Sequence, residues 1–174
     1  KSFPGVLALK GVSLTLAKGE VISLIGENGA GKSTLMKILA GVHQPDSGSL
    51  WLDGNSIILN GPEDAIRHGI VLIHQELNLA ENLTIAENLV LGREPTWGGI
   101  LGLVDRAATR VIAINALNRV GLVIDPNTRV GDLAPGQKQL VEIARALSLD
   151  ARVLIMDEPT SSLSHQETER LTEV

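Results

Sequence analysis

The segment GENGAGKST, from Gly26 to Thr34, constrains this chain more than any other stretch. Gly26, Gly31, Lys32 and Ser33 fall in the spacing G-x-x-x-x-G-K-[ST]. The flanks fit that spacing. Val21 to Ile25 is a short apolar run, expected to be a buried strand. Ser33 to Ala40 carries apolar residues at helical intervals, and Gly41 is placed to end that helix as its C′ residue. Glycines between a strand and a helix let the backbone turn tightly, so that successive N–H groups converge on one point at the helix N-terminus. Such a concavity holds a phosphate chain. Lys32 would reach the β- and γ-phosphates, and the Ser33 hydroxyl would ligate Mg²⁺. A Gly-rich turn that merely starts a helix is the plainer alternative, and four fixed positions in the right setting weigh against it.

A second segment adds to the first. Val153 to Met156 is apolar and is followed by Asp157 and Glu158. A buried strand ending in a carboxylate places that carboxylate where open α/β sheets bind ligands. Asp157 would hold Mg²⁺, directly or through water. Glu158 would polarise an attacking water as general base. Alone, an acidic pair after a buried strand is often a solvated turn; beside a phosphate cradle it reads as a metal and base pair.

Between these motifs the chain alternates. Turns at Pro45–Gly48 and Asp53–Gly54 flank a strand through Trp51. Pro62 opens a short helix ending near Gly69, and Ile70 to His74 reads as another buried strand. Thr84 and Glu87 have the spacing of a capping box, as do Ser164 and Glu167. Arg93 to Gly102 reads as a Gly-rich loop whose Trp97 covers an apolar patch. Asp105 to Val120 is a helix ended by Gly121, and Leu140, Val141, Ile143, Ala144 and Leu147 mark another. This predicts an α/β fold: a core made of residues 1–75 and 150–174, with a helical subdomain inserted over 76–149.

Composition narrows the class. A chain of 174 residues, 44% hydrophobic with 18 glycines, suits one globular domain. Phe3, Trp51 and Trp97 are its aromatic residues, so the core must be aliphatic. A net charge of −5 argues against a nucleic-acid surface. The absence of cysteine excludes disulfides and thiolate metal sites and fits a reducing compartment. No apolar run approaches a membrane span, and no signal peptide is evident. The chain opens on Lys1 in a strand-like run and stops at Val174 in a helix-like one, which reads as a piece of a longer polypeptide.

The order of motifs is GENGAGKST, then Gln75 in IHQELNLAENLTIAENL, then LAPGQKQLVEIARAL, then LIMDEPTSSLS. Together they resemble the nucleotide-binding cassette of ABC transporters over essentially the whole chain. ENLVLGREP and VGDLAPGQKQLVEIARALS are most similar to the sugar-importer branch (ribose, galactose and xylose type), in the first of two fused cassettes. The resemblance implies a P-loop NTPase core with a parallel sheet, an N-terminal antiparallel β subdomain and an inserted helical subdomain. It implies ATP and Mg²⁺, with Gly26, Glu27, Asn28, Gly29, Ala30, Gly31, Lys32, Ser33 and Thr34 around the nucleotide. Phe3 stands where an aromatic stacks on adenine, although core packing explains a lone Phe as well. Gln75 matches the glutamine that senses the γ-phosphate through Mg²⁺ or water, with a solvated loop amide as the plainer alternative. With Lys32 and Glu158 it would serve catalysis, and with Ser33 and Asp157 the metal.

In this family two cassettes face each other head to tail. Leu133, Ala134, Pro135, Gly136 and Gln137 are similar to the LSGGQ signature that contacts the γ-phosphate of ATP held by the partner. Taken alone, LAPGQ is a plain loop-to-helix junction. Ala134 departs from the pattern, since it replaces a serine whose hydroxyl usually donates to that phosphate. Ser161 to Ser164 match the D-loop, with Ser164 where Asp is common and where an N-cap is an adequate explanation. His43, His68, His74 and His165 do not match the family's switch histidine, which is expected beyond Val174, so the isolated chain should hydrolyse little ATP. The implied partners are a second cassette, transmembrane permease subunits and, indirectly, a sugar-binding protein, with no nucleic acid. The implied location is peripheral, on the cytoplasmic face of the inner or plasma membrane. Two rivals remain. One is a cassette that holds ATP but turns over poorly, motivated by Ala134 and opposed by Glu158. The other is a non-transport ATPase of ribosomes or DNA, whose long charged insertion or basic patch is not seen. A GTPase would need an N/T-K-x-D guanine reader, which this chain lacks.

Overall fold

Thirteen strands and helices follow one another in the structure, a computed structural model that describes residues 1–73, 78–98 and 102–157. They are β1 (Ser2–Phe3), β2 (Val6–Leu7), α1 (Lys32–Leu39), β3 (Leu50–Leu52), β4 (Asn55–Ile57), α2 (Pro62–Arg67), β5 (Ile70–Ile73), α3 (Ile85–Val90), β6 (Thr96–Trp97), β7 (Leu103–Val104), α4 (Arg106–Arg119), α5 (Pro135–Leu147) and β8 (Val153–Met156). A 3-10 turn at Val130–Asp132 precedes α5.

The fold hinges on the parallel pair β5–β8, in register from Ile70↔Val153 to Ile73↔Met156. Strand residues alternate between faces, and here both faces are covered. Ile70, Leu72, Val153 and Ile155 join Met36 and Ala40 of α1 and Ala65 of α2 in one core. Val71, Ile73, Leu154 and Met156 join α3, α4 and α5 in the other. Burial on both faces explains why β5 and β8 read as unbroken apolar runs. Two antiparallel hairpins, β1–β2 and β3–β4, stand at the N-terminal side. Among the described residues, no helix is long and apolar enough to cross a membrane.

Local chemistry accounts for the helix ends. α1 stops in a Schellman arrangement: Gly41 N–H donates to the Ile38 carbonyl at 3.0 Å and Val42 N–H to that of Lys37 at 2.8 Å. Gly41 has φ +72°, and a Cβ there would press on the Gly61 carbonyl carbon at 2.9 Å. α3 starts with both halves of the expected capping box. Glu87 N–H donates to Thr84 Oγ1 at 3.2 Å, and Thr84 N–H donates to Glu87 Oε2 at 2.8 Å. These contacts with Thr84 hold the Glu87 carboxyl below the usual range. Asp105 caps α4 by accepting from Ala108 N–H at 2.9 Å.

Two expectations are corrected. Val21–Ile25 is not a strand, and it is not buried: Val21 is 91% and Ile25 94% exposed. A strand needs a ladder partner for its N–H and C=O groups. Among the described residues no ladder pairs with this run. Second, the Arg93–Gly102 stretch is not all loop: Thr96 and Trp97 pair with Val104 and Leu103 in an antiparallel hairpin. Trp97 on it is 60% exposed and belongs to neither core cluster. The Ser164 capping box and His74 lie outside the described residues.

One buried polar residue ties the segment before α3 to that helix. Asn88, fully buried on α3, accepts from Ala80 N–H at 2.7 Å and donates to the carbonyls of Ala80 at 3.0 Å and Thr84 at 2.9 Å. Replacing it leaves the Ala80 N–H without its acceptor, a loss of about 1–3 kcal/mol, while the Ala80 and Thr84 carbonyls keep the N–H groups of Leu83 and Asn88. Asn88→Ala should therefore lower unfolding stability by about 1–3 kcal/mol, at least as much as Thr84→Ala, for which ~1 kcal/mol is typical of a lost cap. Urea titration of the two variants checks the ordering.

Candidate functional site

Phe3, Ala8, the Gly-rich segment and Asp157, which are far apart in sequence, line one cavity of about 510 Å³. From the Gly-rich segment come Asn28, Gly29, Gly31, Lys32, Ser33 and Thr34. α1 begins there without a side-chain cap and without an acidic residue in its first turn. The first helical bond is Leu35 N–H to the Gly31 carbonyl, at 2.9 Å. The N–H groups of Lys32, Ser33 and Thr34 therefore have no helical acceptor, and the positive end of the helix dipole faces the cavity. The Lys32 ammonium lies back over its own loop, donating to the carbonyls of Gly26 at 2.5 Å and Glu27 at 3.0 Å. A charge held only by neutral carbonyls in an open cavity is available to an anion.

Gly31 is the tight point of this cradle. Its φ is +94°, a region L side chains rarely adopt, and a Cβ there would run into the Ala8 carbonyl oxygen and approach the Leu9 side chain at 2.9 Å. Residues 8 and 9 are held in place by their N–H groups, both donating to the Lys1 carbonyl at 3.0 Å.

Asp157 enters from the end of β8, where its N–H donates to the Ile73 carbonyl at 3.2 Å. The parallel register thus delivers a carboxylate to the cavity that the cradle lines. No cluster of three or more His, Cys, Asp or Glu that could hold a metal occurs among the described residues. A cation here would rest on Ser33, Asp157 and oxygens of its ligand, the oxygen-rich set that Mg²⁺ takes with phosphates.

Phe3 also lines this cavity. Its ring meets His43 edge to face, with centroids 5.3 Å apart. Lys1 Nζ lies 5.4 Å from the ring centroid and bonds to Asp46 at 2.6 Å. That bond, together with the Ser2 N–H, holds the Asp46 carboxyl below its ordinary range. Sequence reasoning did not single out Asp46, and it considered His43 only as a switch histidine; neither carries a motif.

The LAPGQ loop is elsewhere. Leu133, Ala134, Pro135, Gly136 and Gln137 do not line the first cavity; Pro135 instead borders a second, of about 470 Å³, with Leu79, Glu81, Val130 and Lys138. Ala134, at the N-cap, has no side-chain acceptor, and Gln137 Oε1 accepts from the Ala134 N–H at 3.0 Å. The first helical bond is Lys138 N–H to the Ala134 carbonyl, at 3.0 Å. Two donors, the N–H groups of Gly136 and Gln137, have no helical acceptor. Gln75, Glu158 and Ser161–Ser164 lie outside the described residues.

A Gly-rich loop opening a helix, with a carboxylate at the end of a parallel strand beside it, is the arrangement of a P-loop NTPase. The family described as ABC transporter matches residues 9–161, and the chain belongs to that family. Over 171 residues it is 52% identical to the putative ribose/galactose/methyl galactoside import ATP-binding protein 2 of Burkholderia lata, covering 98% of this chain and 32% of that protein. It is 54% identical to the ribose import ATP-binding protein RbsA of Rhodopirellula baltica, covering 98% and 33%. The chain thus spans about a third of the length of these relatives. A nucleotide-free ATP-binding cassette from an ABC transporter matches its structure with a TM-score of 0.84 at 29% identity, over 99% of this chain and 71% of that one. A dimeric cassette in a post-hydrolysis state bound to ADP and Pi gives 0.77 at 29% identity, over 95% and 72%.

Gly31→Ala is the sharpest test of the cradle. Positive φ at a non-glycine residue adds about 1–3 kcal/mol of strain, and the Ala8 carbonyl blocks the new methyl. Thermal unfolding should show a loss of at least ~1 kcal/mol, accompanied by loss of anion binding at the first cavity.

Proposed function

We propose that this chain is the ATP-binding and hydrolysing cassette of a carbohydrate importer, in which ATP-driven pairing of two cassettes is coupled to uptake through membrane permease subunits. The observation that carries the reading is the single cavity shared by Phe3, the Lys32 loop and Asp157. It gathers an apolar ring, bare N–H groups with an ammonium, and a carboxylate, which is the chemistry of a base, a phosphate chain and a metal. The naming of relatives as ribose or galactose import ATP-binding proteins supports the sugar class. The dimeric post-hydrolysis structure supports pairing and turnover.

In this reading the Phe3 ring stacks on adenine. Lys32 exchanges the carbonyls of Gly26 and Glu27 for β- and γ-phosphate oxygens, and the free N–H groups at the start of α1 cradle the same chain. Gly26, Glu27, Asn28, Gly29 and Ala30 supply the loop, and Thr34 its last donor. Ser33 and Asp157, with Gln75, hold Mg²⁺, which neutralises charge on the transferring phosphoryl group. Glu158 orients the attacking water and accepts its proton. The Gly136 and Gln137 N–H groups, at the positive end of α5, face the γ-phosphate of ATP held by a second cassette. The cassette sits peripherally on the cytoplasmic face of the membrane, a sugar-binding protein acts upstream, and nucleic acid plays no part. The missing side-chain acceptor at Ala134 favours a second reading, in which the cassette holds ATP but turns over slowly.

Lys32→Ala should abolish Mg-ATP binding while leaving circular dichroism unchanged; calorimetry showing unaltered affinity would remove the phosphate assignment. Gly136→Asp should leave ATP binding at the chain's own cradle intact and block ATP-dependent pairing, read by sedimentation in a Glu158→Gln background. Undiminished pairing would return LAPGQ to an ordinary helix start.

A further inference from the structure

Among the described residues, the ring contacts of Phe3 are with His43 and Lys1 and not with the Gly26–Thr34 cradle, and its own hairpin is small. β1 and β2 have two residues each, and a lone short hairpin is marginal in water. Beyond the bonds of residues 8 and 9 to Lys1, side-chain contacts come from the loop that leaves the far end of α1. Asp46 uses both carboxylate oxygens: Oδ1 accepts from Lys1 Nζ and Oδ2 from the Ser2 N–H, each at 2.6 Å. Both donors lie immediately before Phe3. His43, in the same loop, meets the Phe3 ring at an interplanar angle of 69°. The loop is itself held at its root, since the His43 N–H donates to the Lys37 carbonyl at 3.1 Å. The Gln44 amide donates to the Leu59 carbonyl, pinning its other side.

Exposed ion pairs contribute little to stability, and the Asp46 side chain is 47% exposed. The consequence of this contact is geometric. One continuous path runs from the Lys32 loop along α1, through its glycine end, to His43 and Asp46 and so to Phe3. We propose that Asp46 and His43 are positioning residues for the nucleotide base, holding the Phe3 ring at a set distance and tilt from the Gly26–Thr34 cradle. This rests on the reading of Phe3 as the residue that stacks on the base.

The test separates the two ends of the nucleotide. Calorimetry on the whole chain measures Mg-ATP and, as a probe with no base, Mg-tripolyphosphate. Asp46→Ala should weaken ATP about fivefold, the size of a misplaced aromatic contact, and leave tripolyphosphate unmoved. Asp46→Ser, too short for both contacts, carries the same expectation. Asp46→Asn keeps an oxygen for the Ser2 N–H and should recover part of the loss. His43→Ala should weaken ATP alone, and His43→Phe should restore it. In a Phe3→Ala background Asp46→Ala should add nothing further. If Phe3→Ala weakens ATP while Asp46→Ala and Asp46→Ser do not, the positioning role is overturned and Phe3 stands. Equal weakening of ATP and tripolyphosphate also overturns it, since the loop would then serve the whole cradle. If Phe3→Ala binds ATP as the parent does, the reading of Phe3 falls and the proposal falls with it.

Discussion

The register of β5 against β8 is the constraint on which the rest depends. Each strand contributes alternate side chains to two different cores, so a slip of one residue would turn every apolar side chain to the wrong partner. The same pairing that satisfies α1 and α2 on one face and α5 on the other also sets where the chain emerges. Ile73 and Met156 end the ladder side by side, and the Asp157 N–H takes the Ile73 carbonyl as the last rung. Packing therefore places the carboxylate, and the cradle needs only to be held opposite it by α1.

The helical block is not free of this sheet. Helix α5 shares a core with Val71 and Ile73, and the segment following the Gln75 region is strapped along it. Arg145 donates to the Asn78 carbonyl at 3.1 Å, and Lys138 bonds to Glu81 at 2.5 Å. The Gly131 N–H takes the Glu81 carbonyl at 2.9 Å and the Val130 N–H that of Leu83 at 3.0 Å. Lys138 stands near the positive end of its own helix, an unfavourable place for a cation; Glu81 offsets this and is held below the usual carboxylate range by that lysine. The LAPGQ loop follows directly on Val130 and Gly131, so its position is tied to the segment that leads out of β5.

What could be read from sequence was whatever is local in chemistry. The capping box at Thr84, the glycine end of α1 and the helix that opens after the Gly-rich segment each depend on residues a few positions apart, and each is present. Long-range pairing was not legible. Val21–Ile25 has the composition of a buried strand, but composition does not supply a ladder partner. Asn88 resembles any polar residue on a helix until Ala80 folds back upon it. Asp46 reads as a turn residue in Pro45–Gly48, and only the fold brings Lys1 and Ser2 to it. Phe3 was ambiguous for the same reason: nothing in its neighbours distinguishes a core aromatic from one at the mouth of a cavity.

The start of α5 shows how a missing group can act in two directions. A serine at position 134 would bring a hydroxyl, and an N-cap hydroxyl accepts from the N–H groups of the second and third helical residues. Those are the N–H groups of Gly136 and Gln137, the donors that would face a partner's phosphate. Ala134 offers no such acceptor, and the Gln137 side chain occupies only the Ala134 N–H. An intramolecular cap is worth about 1 kcal/mol, and so is a neutral hydrogen bond to a ligand. The donor lost with the hydroxyl is therefore largely offset by the backbone donors that remain uncapped. The alanine weakens the loop as a helix start more than it weakens it as an anion site, which is the balance expected where a helix N-terminus is kept open for a ligand.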